Sequence, residues 1–255
     1  MQRLRVRFAK RGRLRFTSHR DFQRAFERAL RRAGVPIAYS QGFTPHPKVS
    51  YAGAAPTGAA SEAEYLEIAV TRQCDPAALA GSLDAALPAG LDVVEVVEAT
   101  HGSLADRLEA SDWELRLPGL TPDAAAAAAA AFLESSSIEV QRMTKNGVRT
   151  LDARAAVVRL AVTDRECHDP PCAILRVVVR HGPLTVRPDD VLAGLRSVAD
   201  FAPPQSPLAM PLVTRLAQGP LDEQSGTVGD PLEPDRDAAH PGRADAEALA
   251  KPADA

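Results

Sequence analysis

The chain has 255 residues, 45% of them hydrophobic, which is enough apolar content for two modest packed domains. No segment approaches the ~20 uninterrupted apolar residues of a membrane helix, and the first residues alternate charge with bulk instead of forming the apolar core of a secretory signal. Three cysteines are too few for a disulfide framework. These features predict a cytoplasmic protein of a reducing compartment, without membrane association.

The net charge of −3 conceals an asymmetry along the chain. Residues 1–50 contain 13 lysines and arginines and only two acidic residues, for a local charge of +11, so the remainder carries −14. Such a division indicates that the N-terminal part meets a polyanion, or an acidic surface of its own chain or of a partner.

Residues 1–16 alternate apolar with basic side chains, interrupted at Gly12, which predicts a hairpin or two successive short strands with an apolar face and an arginine face. A helix predicted from an N-cap at Ser18 to a stop at Gly34 carries further arginines on its polar side. Phosphate backbones bind such faces through charge and counterion release, so we predict a nucleic-acid-binding surface. The residues of this predicted surface are Arg3, Arg5, Arg7, Arg13, Arg15, Arg20, Arg24 and Arg28. The alternative is that these arginines are solvated or paired with acidic residues of the second half.

The remaining pattern predicts an α+β fold of two tandem ferredoxin-like units followed by a disordered tail. In residues 1–100 the main elements follow the order β-α-β-β-α-β, and residues 109–216 repeat a similar order, with the alanine run at 124–131 forming a helix behind an N-cap at Thr121. Residues 217–255 are poor in apolar residues and rich in Pro, Gly and Asp, which predicts a mostly disordered acidic tail.

Two segments of the first domain contain side chains suited to chemistry or to ligand contact. His19 and Asp21 lie at the start of the predicted helix, where a histidine suits acid–base catalysis, although capping alone explains Ser18 and Asp21. The loop 39–47 combines aromatic rings, prolines and an imidazole, which suits a ligand or a stacked base as well as simple turn packing. The candidate catalytic residues are His19 and His46, and the ligand-loop candidates are Tyr39, Gln41, Phe43 and His46.

Metal binding has little support in the sequence. Cys167, His168 and Cys172 lack a familiar zinc spacing and a second ligand pair, so a polar loop before a strand is the favoured interpretation. The three carboxylates in residues 62–67 are expected to pair with the arginines rather than with a metal. No metal and no cofactor are therefore predicted.

Four segments taken together resemble the radical-SAM-associated family of unknown function, whose domain occurs alone or as a C-terminal extension of cobalamin-binding radical SAM proteins. The segments are Phe16-Thr17-Ser18-His19-Arg20-Asp21, Phe26-Glu27-Arg28-Ala29-Leu30-Arg31-Arg32-Ala33-Gly34, Tyr39-Ser40-Gln41-Gly42-Phe43-Thr44-Pro45-His46-Pro47 and Ser61-Glu62-Ala63-Glu64-Tyr65-Leu66. The resemblance is specific over roughly the first 70 residues and looser to about residue 216.

This resemblance implies an accessory role beside radical SAM chemistry. Because standalone members tend to be encoded near RNA-processing and ribosomal genes, it also implies a link to RNA, and it supplies no catalytic residues. The chain lacks the Cys-x3-Cys-x2-Cys motif that holds the cluster of radical SAM enzymes, so it is not expected to be such an enzyme by itself.

Three functions follow as hypotheses. The leading one is a non-catalytic, RNA-directed accessory protein whose basic first domain holds RNA or a ribonucleoprotein for a partner such as a radical SAM or RNA-processing enzyme. The second is a small enzyme acting on RNA or a phosphorylated metabolite with His19 and His46 near the site, and the third is an interaction module that docks an acidic partner. No P-loop, dinucleotide fingerprint, zinc protease motif or nucleophile elbow is visible, which lowers the support for an enzyme.

Overall fold

The computed structural model of the chain describes residues 1–100, 102–144, 147–163, 165, 172–199 and 210–239. These residues form two compact units. Unit 1 comprises Met1–Thr57, Ala63–Arg107 and the segment that begins at Asp230, whereas unit 2 comprises Gly58–Glu62 and Leu108–Gly229. The fold is mixed α/β, with mainly antiparallel strand pairing and six α-helices in the described residues. None of the described helices is long and apolar enough to cross a membrane.

The described helices and strands are numbered here in chain order. They are β1 (Gln2–Lys10), α1 (His19–Arg32), β2 (Val49–Ala52), β3 (Ala60–Val70), α2 (Pro76–Ala86), β4 (Leu91–Glu98), β5 (Ala110–Pro118), α3 (Pro122–Glu134), β6 (Glu139–Thr144), β7 (Gly147–Asp152), α4 (Ala153–Ala156), β8 (Val157–Val162), β9 (Cys172–Arg180), α5 (Pro188–Val198), β10 (Leu212–Gly219), β11 (Leu221–Asp222), β12 (Thr227–Val228) and α6 (Glu233–Ala239).

Unit 1 places α1 and α2 against a sheet in which β1 lies between β4 and β3, and β2 pairs with β3. The apolar side chains of β1 enter this core, where the Phe8 and Phe22 rings stack with centroids 4.3 Å apart. The helix predicted from Ser18 is confirmed, because the Ser18 hydroxyl accepts a hydrogen bond from the Asp21 N–H at 3.2 Å. The capped end of α1 is thereby fixed above the sheet.

The second strand predicted within residues 13–16 is wrong, since Gly12–Phe16 forms a short 3-10 helix. Gly12 takes a φ of 54°, a left-handed conformation that glycine adopts readily, and the chain leaves the strand direction there. The Leu14 N–H then donates to the Arg11 carbonyl at 3.0 Å, and the Thr17 N–H donates to the Leu14 carbonyl at 2.9 Å. Local turn bonds therefore satisfy the backbone that a hairpin would have paired with β1.

Unit 2 arranges β10, β5, β9 and β8 side by side in antiparallel pairs, and the first residues of β3 run parallel to β10. The predicted helix over the alanine run is confirmed as α3, which begins behind the Thr121 cap and buries Phe132. Strands β6 and β7 pair only with each other in the described residues, so this hairpin stands outside the main sheet.

Disorder is predicted from residue 217 onward, and this prediction is wrong for residues 217–239. The described part of this stretch forms the end of β10, the short pair β11 and β12, and helix α6. This stretch has few apolar residues, but Leu232 is fully buried. The carboxylate of Asp235 is also buried, and it forms ion pairs with Arg5 and Arg107. Amino-acid composition alone does not predict that such a segment is ordered, because ion pairs supply many of its contacts. Residues 240–255, the rest of the predicted tail, lie outside the described residues.

Candidate functional site

The arginines of β1 do not form an open surface. Arg5 is fully buried, with its Nη1 2.7 and 2.8 Å from the two carboxylate oxygens of Asp235 and its Nε 3.2 Å from Glu67. Arg3, which is half exposed, also pairs with Glu67 at 3.4 Å. The predicted accessibility of this face is therefore wrong for Arg5, because a carboxylate of the neighbouring strand and helix α6 enclose its charge. The predicted pairing of the 62–67 carboxylates with these arginines is confirmed for Glu67.

The other arginines of the first 16 residues are dispersed rather than aligned. Arg7 lies 3.9 Å from Asp230 and is partly buried. Arg13 is exposed, and the Arg15 guanidinium lies 4.6 Å from the ring centroid of Phe16, a cation–π geometry. Because residues 13 and 15 belong to a 3-10 helix and not to a strand, they do not continue the arginine row of β1.

The outward side of α1 is the main exposed basic surface of unit 1. Arg20, Arg24 and Arg28 follow at four-residue spacing, so they lie on one side of the helix, about 6 Å apart along its axis. The whole surface, called the α1 basic face below, consists of the exposed side chains of Arg20, Arg24, Arg28, Arg31 and Arg32. None of these five guanidinium groups forms an ion pair or a hydrogen bond within the described part of the chain.

The buried side of α1 determines that these arginines point toward solvent. Phe22, Phe26, Ala29 and Leu30 recur at helical spacing and are buried against the sheet. Their burial fixes the rotation of the helix, which directs the residues between them outward. The α1 basic face is thus a consequence of amphipathic packing and is held by the core.

The loop 39–47 protrudes from unit 1 as a structured turn. The Ser40 N–H donates to the His46 carbonyl at 2.8 Å, and the His46 N–H donates to the Ser40 hydroxyl at 3.0 Å. Tyr39 forms an isolated bridge with Pro47, which closes the base of the loop. The side chains of the four ligand-loop candidates Tyr39, Gln41, Phe43 and His46 are all exposed.

A pocket of about 30 Å³ lies beside the start of α1. Its polar lining includes Lys10, Ser18, His19, Tyr51 and Glu64, while His46 is not among its lining residues. The two candidate catalytic histidines therefore do not share this pocket. A cavity of this volume has room for a water-sized group.

The polar groups of the pocket are fixed by their surroundings. The Glu64 carboxylate accepts the Ala55 N–H at 3.2 Å, and the buried Lys10 ammonium lies 3.5 Å from the Ala55 carbonyl. The His19 and Tyr51 rings meet edge to face at 5.0 Å. Burial raises the pKa of the Tyr51 phenol, and the charge of Glu27 raises that pKa further. The phenol therefore stays protonated and is able to donate a hydrogen bond, but it is not a base.

The sequence pointed to only part of this pocket. His19 is among the predicted site residues, whereas Glu64 is predicted only as a partner of the arginines, and Lys10 and Tyr51 are not predicted site residues. Alternation is the available signal: Lys10 continues the period of Val6 and Phe8, and Glu64 continues that of Leu66 and Ile68, so each is a charged residue on the apolar face of its strand. Pairing of distant segments brings them together, and spacing along one chain does not reveal this.

The described residues contain no group of three or more side chains placed to hold a metal ion. Cys167 and His168, the other members of the weak metal candidate, lie outside the described residues. Cys172 takes part in a disulfide bond, and Cys74 is a free thiol.

A comparison with protein families identifies the family of this chain. The model of a family described as "Uncharacterized protein conserved in bacteria (DUF2344)" matches residues 3–188, which is more than half of the chain. No curated protein matches the chain. The matched range contains the parts of unit 1 between residues 3 and 107, including the α1 basic face, the loop 39–47 and the pocket.

Proposed function

We propose that this chain, which belongs to the DUF2344 family of proteins conserved in bacteria, is a non-catalytic accessory protein that holds RNA for a partner enzyme. The α1 basic face carries the proposal. It presents five exposed arginines that have no ion pair within the described residues, and Asp21 and Glu27 are the only acidic residues of that helix. Such a surface binds phosphates by charge and by release of condensed counterions.

The RNA contact is assigned to α1 and not to the sheet. The strand order β4, β1, β3, β2, together with two helices on one side, supports a ferredoxin-like interpretation of unit 1. In such units the side of the sheet without helices is available for a ligand, but here α6 lies over β1 and binds Arg5 through Asp235. The helix side therefore offers the accessible cations.

The proposed partner is a radical SAM enzyme or an RNA-processing enzyme. This assignment is supported by the four segments between Phe16 and Leu66 that resemble the radical-SAM-associated family. The chain has only three cysteines and lacks the Cys-x3-Cys-x2-Cys motif, so the proposed chemistry is performed by the partner.

The test reverses two charges in the middle of the α1 basic face. We expect Arg24→Glu with Arg28→Glu to weaken binding to a short RNA roughly 10- to 100-fold near physiological salt, because two phosphate contacts are lost and two repulsions are added. Fluorescence anisotropy measures the affinity, and circular dichroism verifies that the variant is folded.

The matched control makes the same change in net charge elsewhere. Arg149 and Arg196 belong to unit 2, are exposed, and form no ion pair within the described residues. Arg149→Glu with Arg196→Glu should leave RNA affinity within about twofold of the parent if the contact is local to α1. Equal loss in both double variants would indicate a general charge effect. Loss of an acidic protein partner in the α1 variant, without any RNA affinity in the parent, would favour the interaction module instead.

The pocket supports a second candidate, a small enzyme acting on RNA. It places the Lys10 ammonium, the protonated Tyr51 phenol, the Glu64 carboxylate and the His19 ring around one small cavity, a combination of acids and acceptors that suits proton transfer. Its test is mass spectrometry of nucleosides from RNA incubated with the protein. A new nucleoside that His19→Ala abolishes, at unchanged RNA affinity, would establish this enzyme and would contradict the non-catalytic proposal.

A further inference from the structure

We propose that the loop 39–47 stacks an unpaired nucleobase on Phe43, so that the RNA held by the α1 basic face is single-stranded. This inference rests on the proposed function, and it adds the class of RNA that is bound. It is carried by the exposure of Phe43, the hydrogen bonds that tie the ends of the loop, and the cations that flank the loop along the chain.

Phe43 is fully exposed to solvent at the tip of the loop. A single exposed apolar residue is common on protein surfaces and indicates little by itself. Phe43 differs because Tyr39, also exposed, stands at the base of the same loop, so one short segment displays two aromatic rings. Base–aromatic stacking needs an accessible ring face and tolerates any base, since every base has a π-face.

The loop backbone is held in place by contacts within the chain. Two hydrogen bonds between Ser40 and His46, one between backbone groups and one to the Ser40 hydroxyl, tie the ends of the loop together, as does the bridge from Tyr39 to Pro47. The rings of Pro45 and Pro47 fix the backbone further. A loop that is already ordered loses little conformational entropy on binding, so more of the stacking energy contributes to affinity.

Cations flank the loop on both sides along the chain. Arg31 and Arg32 are the last two residues of α1, eight and seven positions before Tyr39, and Lys48 follows Pro47 directly. All three are exposed, and none forms an ion pair within the described residues. An aromatic ring beside phosphate-binding cations is the arrangement with which proteins bind single strands without sequence preference. A duplex does not offer its base faces, because they are stacked within the helix.

The experiment compares one labelled RNA strand with the duplex that it forms with its complement, by fluorescence anisotropy at one salt concentration. We expect Phe43→Ala to weaken binding of the single strand roughly five- to 100-fold and to leave duplex binding unchanged. Phe43→Trp should retain the single-strand affinity, because a larger ring also stacks. The matched control is Phe16→Ala, which removes another exposed phenylalanine of unit 1 and should change neither affinity.

The outcomes separate this inference from the proposed function. If Phe43→Ala leaves both affinities unchanged while reversal of Arg24 and Arg28 lowers both, RNA binding stands and stacking on Phe43 is wrong. If the parent protein binds neither RNA, the proposed function itself fails. If Phe43→Ala retains RNA affinity but loses a co-purifying protein, the loop is a protein-docking element and the inference is overturned.

Discussion

Arg5 and Asp235 form the most enclosed charged contact in the described part of unit 1. Both side chains are fully buried, and the Asp235 carboxylate also accepts hydrogen bonds from the Thr100 N–H at 3.0 Å, the Thr100 hydroxyl at 2.7 Å and Arg107 Nη1 at 2.8 Å. Burial alone would raise the pKa of Asp235, but the hydrogen bonds from Arg5, Thr100 and Arg107 outweigh it and lower that pKa. The carboxylate therefore stabilises the fold in its charged form.

Asp235→Asn should lower the free energy of unfolding by about 3–5 kcal/mol, because Arg5 and Arg107 keep their charges and lose the carboxylate that they share, which leaves the buried Arg5 with Glu67 alone. Urea denaturation followed by circular dichroism measures this change. The control is Asp237→Asn in the same helix, where the side chain is exposed and unpaired within the described residues. Equal stability of the two variants would contradict the structural role of Asp235.

The lowered pKa of Asp235 also determines how the stability of the fold changes with pH. A carboxyl whose pKa is lowered by folding contributes stability above its ordinary pKa, near 3.8, and loses that contribution as pH falls through the folded-state value. The parent should therefore lose more stability than Asp235→Asn as pH is lowered from about 5 through this range.

At the scale of elements, the close packing of α5 against α3 in unit 2 requires a glycine at position 194. A Cβ on Gly194 of α5 would lie 2.8 Å from the Phe132 ring of α3 and 3.1 Å from Ile138. Gly81 in α2, also helical, has open space around the same position. The two glycines are thus a matched pair, one required by close helix contact and one not.

Gly194→Ala should destabilise unit 2 by about 1–3 kcal/mol because the buried ring has to move. Gly81→Ala should stabilise unit 1 by about 0.5–1 kcal/mol, since alanine is the better helix former. Thermal unfolding by circular dichroism measures both changes. A stabilising effect of Gly194→Ala would mean that α3 and α5 do not approach as closely as described.

At the scale of the whole molecule, regular local patterns were predictable and distant partnerships were not. The Ser18 cap, the apolar spacing from Phe22 to Leu30 and the alanine helix are encoded within single segments, and the structure confirms them. The burial of Arg5 could not be predicted, because its partner Asp235 follows 230 residues later in a segment with the composition of a disordered tail.

In the candidate site, too, local features were predictable from the sequence and contacts between distant segments were not. The exposed arginines of α1 follow from one helical period, and the exposed loop follows from its prolines and glycine. The pocket was missed beyond His19, because Lys10, Tyr51 and Glu64 come from three strands whose pairing brings them together. What remains as the accessible basic surface is therefore the helix and not the arginine row of β1.

The most direct test of the account is the salt dependence of RNA affinity in the parent protein. For single strands the slope of log affinity against log salt is about −0.7 for each phosphate neutralised, so four or five arginine contacts predict a slope near −3. Reversal of Arg24 and Arg28 should reduce the steepness of that slope by more than one unit. A parent protein with no affinity for RNA at low ionic strength, or with affinity that ignores salt, would contradict the account.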